Sequence, residues 1–204
     1  MKKSAPKPFP VRKALILLGA VVVLCLAALA MRWWHTGVPY WLEKHDEHVL
    51  LPLIEQTARK HGVSPSLVRA LIWKESRFDQ FSVGSKGEIG LMQITDGAVD
   101  DWARRTKSDK PSRFDLFIPE VNVEIGTWYL GQASRHWKGY ASQELLALAE
   151  YNAGYGKVSG SWAPKDPQTV VAFSEITYPG TRQYVQAILE RKRHYEHEQQ
   201  RVTP

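Results

Sequence analysis

The chain of 204 residues contains a single cysteine, Cys25, which excludes an intramolecular disulfide framework and a cysteine-built zinc site. Alternating apolar and polar stretches are nearly absent, so a sheet-based fold has little support. Neither a Gly-x-x-x-x-Gly-Lys loop nor a Gly-x-Ser-x-Gly elbow occurs, and two common catalytic frameworks drop out with them. Acidic residues are missing from residues 1–32, where Lys2, Lys3, Lys7, Arg12, Lys13 and Arg32 fall. That asymmetry accounts for the whole formal charge of +6, because the remainder carries 21 basic and 21 acidic side chains. A neutral remainder is a poor footprint for nucleic acid, and no such partner is expected. With 24% charged and 44% hydrophobic residues the chain is neither disordered nor collagen-like.

What the sequence does have is one long apolar run. Residues Ala14 to Met31 carry no charge, and this length of helix reaches roughly 27 Å, close to the hydrocarbon thickness of a bilayer. The Lys/Arg residues ahead of it predict a cytoplasmic N-terminus and an exported remainder. Arg32, Trp33 and Trp34 suit the membrane–water interface. Ala28-Leu29-Ala30 also fits a cleaved signal peptide, but the run is longer than the usual core of about 7–15 residues, which favours a retained anchor. The expected organisation is a basic tail over 1–13, a single transmembrane anchor over 14–31, a linker over 32–46 and a globular domain over 47–204. The expected location is a bacterial inner membrane, with that domain on the periplasmic, cell-wall side.

The exported part reads as all-α. Val49, Leu50, Leu53, Ile54 and Ala58 recur at helical spacing and Gly62 stops the pattern. Ser64 and Pro65 open a second helix as N-cap and first-turn residue. Further helices are predicted over 98–105, 121–137, 143–152 and 183–196, with a small irregular excursion at 83–90 and a long loop over 154–177.

One carboxylate is out of place. Val68, Leu71 and Ile72 form the apolar stripe of the second helix, and Glu75 continues that stripe one turn on. A carboxyl on an inward face is costly unless paired or protonated, and desolvation raises its pKa towards what a general acid needs. From position alone, an ion pair with Lys74, Arg77 or another cation at the domain edge is the commoner explanation of such a residue.

Four segments follow in order: Glu75-Ser76-Arg77-Phe78, Gly87-Glu88-Ile89-Gly90-Leu91-Met92-Gln93-Ile94-Thr95, Ala149-Glu150-Tyr151-Asn152-Ala153-Gly154, and Tyr178-Pro179-Gly180-Thr181-Arg182-Gln183-Tyr184-Val185. Together they resemble the soluble lytic transglycosylase family, relatives of goose-type lysozyme, over roughly residues 48–196. The resemblance implies a lysozyme-like helical fold and cleavage of the β-1,4 bond between N-acetylmuramic acid and N-acetylglucosamine in peptidoglycan. It assigns Glu75 as the single acid and base that closes a 1,6-anhydro ring on the muramyl residue. It further implies Ser76, Met92, Gln93, Tyr151, Asn152 and Tyr184 as substrate-binding residues, with Tyr178 closing the cleft beside Tyr184. Peptidoglycan strands are the expected partner, the membrane a second, and cell-wall or secretion-complex proteins a third. No cofactor and no metal are expected. His45 with His48, and His194 with His197, lack a convincing third ligand.

The sequence departs from the family pattern at Gly84 (usually Ser), Glu88 and Glu150 (usually Ala) and Gly180 (often Glu). Glu88 and Glu150 are the carboxylates that could convert a cyclising enzyme into a hydrolysing muramidase, and both read as structural or rim residues. A non-catalytic wall-binding module is the remaining alternative, and the retained acid argues against it.

Overall fold

The computed structural model describes residues 15, 18–28 and 46–202. The chain divides into two units, Met1–Glu43 and Lys44–Pro204. In the first, residues 18–28 are helical and the apolar side chains of Leu18, Val21, Val23, Leu24 and Leu26 are exposed. Among the described residues no helix is long and apolar enough to cross a membrane. The predicted anchor over 14–31 extends past the described segment at both ends, and the basic tail and nearly all of the linker lie outside it.

The second unit is helical: α1 (Glu47–His61), α2 (Pro65–Ser76), α3 (Asp96–Thr106), α4 (Pro119–His136), α5 (Gln143–Ala153), α6 (Tyr155–Ser161) and α7 (Pro179–Val202). Short 3-10 turns occur at Asp115–Phe117 and Phe173–Glu175. The punctuation follows local chemistry. Gly62 ends α1 in the left-handed region at φ 69°, and its N–H reaches the carbonyls of Ala58 and Arg59. Ser64 accepts from Leu67 N at the start of α2, where Pro65 fills the first position. Thr95 does the same for α3 through Ala98 N at 3.1 Å.

The stripe of α2 is buried as predicted, with Val68, Leu71 and Ile72 fully out of solvent. It packs against α7, while α4 contacts α1 and α5, and α5 also meets α7. The core therefore lies between α2, α4, α5 and α7. Two elements differ from expectation. The stretch expected as a loop contains α6, a seven-residue helix rich in Gly and Ser with Val158 as its buried anchor, too short to leave a periodic signal. α7 begins at Pro179, four residues earlier than the apolar stripe indicates. Proline is tolerated in a first turn because the N–H it lacks has no helical partner there.

The excursion at 83–90 becomes a pair of small antiparallel bridges, Val83 with Ile89 and Ile89 with Ile94. Asn122 pins this loop to the body. Its Nδ2 donates to the carbonyls of Ile89 and Leu116, both at 2.8 Å, and its Oδ1 accepts Met92 N at 2.8 Å. Gly90 has φ 80°, and a side chain there would collide with Asn122 Nδ2 and the Leu116 carbonyl. Replacing Asn122 by Ala strands three buried backbone groups, so unfolding should become easier by about 3 kcal/mol in denaturant titration. Asn122→Asp should lose at least as much, because its carboxylate cannot donate to two carbonyls. Losses under about 1 kcal/mol would mean that the loop holds itself.

Candidate active site

Glu75 is the penultimate residue of α2, and the apolar stripe that buries Val68, Leu71 and Ile72 carries it to the edge of the core. There it is half-buried and faces a cavity of 340 Å³. Its carboxyl is pushed from an ordinary 4.5 to about 7, chiefly by loss of hydration. The Tyr184 hydroxyl and the Lys74 charge pull it down, and the Glu88 charge pushes it further up. Among the described residues Glu75 makes no ion pair. Arg77 turns instead onto the face of Trp73, at 3.5 Å from the ring centre, with Arg191 on the same ring at 4.0 Å. The ion-pair reading of Glu75 is thereby set aside.

Tyr184 reaches the acid from α7, its hydroxyl donating to Glu75 Oε1 at 2.5 Å. Burial, with the nearby Glu75 charge, holds this phenol well above its ordinary pKa, so it remains a donor. Tyr151, on α5, donates to the Met92 carbonyl at 3.0 Å and feels the Glu75 charge as well. Its neighbour Asn152 lines the Glu75 cavity, and its Oδ1 accepts from the Thr181 hydroxyl at 2.7 Å, joining α5 to the first turn of α7. Gln93 lines the same cavity from a backbone at φ 51°.

Three residues expected at the substrate, Ser76, Met92 and the buried Tyr184, do not line the cleft, although Tyr184 touches the acid. Ser76 is buried, and its hydroxyl donates to the Leu91 carbonyl at 2.9 Å, tying the end of α2 to the loop. Met92 is fully buried, with its sulfur 3.7 Å from the Thr127 hydroxyl, packed onto the bare backbone of Gly126. What Met92 offers the site is its carbonyl, not an apolar surface. Tyr178 is exposed and sits edge-on to Trp162, with its ring centre 5.2 Å away.

Glu88, read as a structural or rim residue, lines the cavity that holds Glu75. Glu150 belongs to an adjoining cavity of 430 Å³ that shares Gln93, Thr95 and Tyr151 with the first, so the two form one cleft. There Glu150 accepts from Trp137 Nε1 at 2.8 Å and faces His136 Nδ1 at 2.7 Å. Tyr129, which donates to Asp101 at 2.9 Å, and Arg105 line the same stretch. Asp101 and Arg105 on α3 and Tyr129 and His136 on α4 carry no local motif and meet Glu150 only on folding.

With this geometry in place, comparison with known proteins is informative. A family model described as the transglycosylase SLT domain matches residues 52–166. The chain belongs to this family. Its curated relatives include proteins named membrane-bound lytic murein transglycosylase C from Yersinia enterocolitica and Serratia proteamaculans. Each is 35% identical over 127 residues, covering 59% of this chain and 35% of the relative. The chain thus spans about a third of the length of the curated relatives it matches. Among solved structures, an inactive Glu-to-Gln mutant of lytic transglycosylase Slt from Pseudomonas aeruginosa superposes with a TM-score of 0.65. It is 28% identical, over 73% of this chain and 24% of that one. The 70 kDa soluble lytic transglycosylase from Escherichia coli, at 23% identity and a TM-score of 0.63, shares the fold over 72% of this chain and 24% of its own.

The SLT match stops before α7, yet α7 supplies the group closest to the acid, Tyr184. In this SLT domain the raised pKa of Glu75 has a thermodynamic consequence. The folded state keeps the proton that the unfolded chain releases above about 4.5, so stability falls as pH rises from there to about 7 and stays lower beyond. Glu75→Gln removes that dependence. It should be more stable than wild type at pH 8, by at most ~3 kcal/mol, and indistinguishable at pH 4 in denaturant titrations. A mutant destabilised at every pH would instead mean that the charge of Glu75 is held by a partner.

Proposed function

We propose that the domain is a peptidoglycan lytic transglycosylase that cleaves the β-1,4 bond between N-acetylmuramic acid and N-acetylglucosamine. The observation that carries this reading is Glu75, a carboxyl kept protonated close to neutrality on the wall of a cleft, with a phenol on one of its oxygens. Membership of the SLT family and the names of its relatives agree with it.

In the first step Glu75 gives its proton to the glycosidic oxygen and the anomeric carbon–oxygen bond breaks, leaving an oxocarbenium-like centre. Glu75, now a carboxylate, takes the proton of the muramyl C6 hydroxyl as that oxygen bonds to the anomeric carbon. The product ends in a 1,6-anhydro ring, no water is consumed, and Glu75 is protonated again. Tyr184 fits both halves. Its donated hydrogen bond steadies the carboxylate after proton transfer and stays on the acid before it. Tyr151 and Asn152 hold the cleft wall through the Met92 carbonyl and Thr181. Gln93 presents an amide to the sugar, and Ser76 and Met92 act through the loop they anchor.

The uninterrupted apolar run over 14–31 supports a single-pass inner-membrane anchor with the domain, residues 47–204, on the periplasmic side. The relatives' names include the words membrane-bound, which is consistent with it. Cell-wall or secretion-complex proteins are the partners this placement would bring within reach.

Glu88 supports a second reading. It shares the cavity of Glu75, and a hydrolysing muramidase needs a second carboxylate, about 5–5.5 Å from the acid if retaining or about 6.5–9.5 Å if inverting. Mass spectrometry of fragments released from purified sacculi separates the two. Wild type should release 1,6-anhydromuramic ends and Glu75→Gln none. Reducing ends would establish a hydrolase whose second group is then sought at Glu88 and Glu150, and no release by either protein would leave a wall-binding module.

The Tyr184 hydroxyl favours the ionised acid, so Tyr184→Phe should let the pKa of Glu75 rise further. The fall of kcat/KM above about pH 7 should then move to higher pH, with kcat lower by roughly tenfold or more. An unmoved pH limb would show that Tyr184 does not act on the acid.

A further inference from the structure

The part of the cleft beside Glu75 is unevenly supplied with hydrogen-bonding groups. Gln93 donates through Nε2 to the carbonyls of Ser82 and Gly90, at 3.3 and 2.9 Å. Those bonds orient its amide, so that Oε1 is presented as an acceptor with no donor among the described residues. Glu88 Oε2 accepts the Lys86 N–H at 3.0 Å, which holds the carboxylate over the turn. The two oxygens converge on Gly84. A Cβ built there would collide with Glu88 Oε2 and lie 2.7 Å from Gln93 Oε1. The turn itself is closed by Gly84 N to the Glu88 carbonyl at 2.8 Å, so the bare backbone is fixed beneath both acceptors. The cavity's other lining groups, Asn152 and the hydroxyls of Ser85 and Thr95, can answer an acceptor on a ligand. The two side-chain oxygens over Gly84 ask for a donor, and Glu88 asks for a positive one.

We propose that the notch formed by Gly84, Glu88 and Gln93 is a specificity element for a cationic amine, the free amino group of a de-N-acetylated sugar in the glycan strand. The inference rests on the reading of this cleft as a glycan site. An ammonium has three N–H donors and no acceptor, which matches a carboxylate and an amide oxygen set side by side. An acetamido group has one N–H and brings a carbonyl oxygen and a methyl group, leaving one of the two acceptors unanswered. A site whose placed acceptors match the donors of one ligand favours it over a ligand that leaves one of them unanswered.

The test is calorimetric binding of the full chain in detergent to a glucosamine hexamer and to an N-acetylglucosamine hexamer, below the pKa of the sugar amine. Wild type should bind the amine form at least ~10-fold more tightly, and Glu88→Gln should bring the two affinities within roughly threefold of each other. Gly84→Ser, which fills the notch from the backbone side, should abolish the preference too, with melting curves checking that both variants fold. Glu55→Gln removes an exposed charge on α1 and should leave the ratio unchanged. Equal affinities in wild type, a preference that survives Glu88→Gln, an equal loss in Glu55→Gln, or no binding of either hexamer would overturn the proposal. Fragment release from sacculi reads the catalytic function separately. An amine preference without release would leave the notch standing and remove the lyase.

Discussion

The cleft depends on one buried amide. Asn122, on α4, gives both hydrogens to carbonyls and receives one backbone N–H, so two segments of irregular chain, the loop that holds Ile89 and Met92 and the turn at Leu116, are tied to a single rigid helix. An irregular loop cannot satisfy its own backbone as a helix does, and every buried group left open costs of the order of 1–3 kcal/mol. The loop from Ser82 to Thr95 delivers Gly84, Glu88, Gln93 and the Met92 carbonyl to the cleft, and Asn122 sets where that loop lies. Ser76 adds a second tie, from the end of α2 to Leu91, next to the acid itself.

On that frame the electrostatics of the site follow from burial. Glu75 stands at the C-terminal end of α2, where the helix dipole disfavours a negative charge, and the apolar stripe has drawn it out of water. Loss of hydration is the largest effect on its carboxyl, and the one strong donor that opposes it, Tyr184, comes from the far end of the chain. The two act in opposite directions by design of position. Without Tyr184 the acid would hold its proton too firmly to serve as a base, and without burial it would have no proton to give near neutrality.

Much of this was legible in the residues. Caps and stops such as Ser64 with Pro65 and Gly62 are local chemistry, and the helices they bound appear where spacing predicts them. The offset of Glu75 along a helical stripe is likewise a matter of counting. Three things were not legible. α6 is too short and too rich in Gly and Ser to show a period. Met92 and Ser76 sit in a segment whose sequence resembles a subsite, and nothing local says that Gly126 leaves a socket for the Met92 side chain or that the Leu91 carbonyl waits for the Ser76 hydroxyl. Glu88 looks like a surface carboxylate until the Gly84 turn folds it over the cavity.

The sequence by itself therefore determined the helical class, the breaks between the longer helices, the inward-facing acid and the charge-free run near the N-terminus. These rest on periodicity, on capping and on the cost of apolar surface, which act over a few residues and need no fold to be read. The resemblance already named Gln93, Tyr151, Asn152 and Tyr184, and the tertiary structure decided which of them meet Glu75 and through which atoms. Tyr184 is 109 positions from Glu75 and Asn122 is 30 from Met92, and no local propensity links such pairs. Their meeting is set by how α2, α4, α5 and α7 pack, because a hydrogen bond acts over about 3 Å and has no reach along the chain.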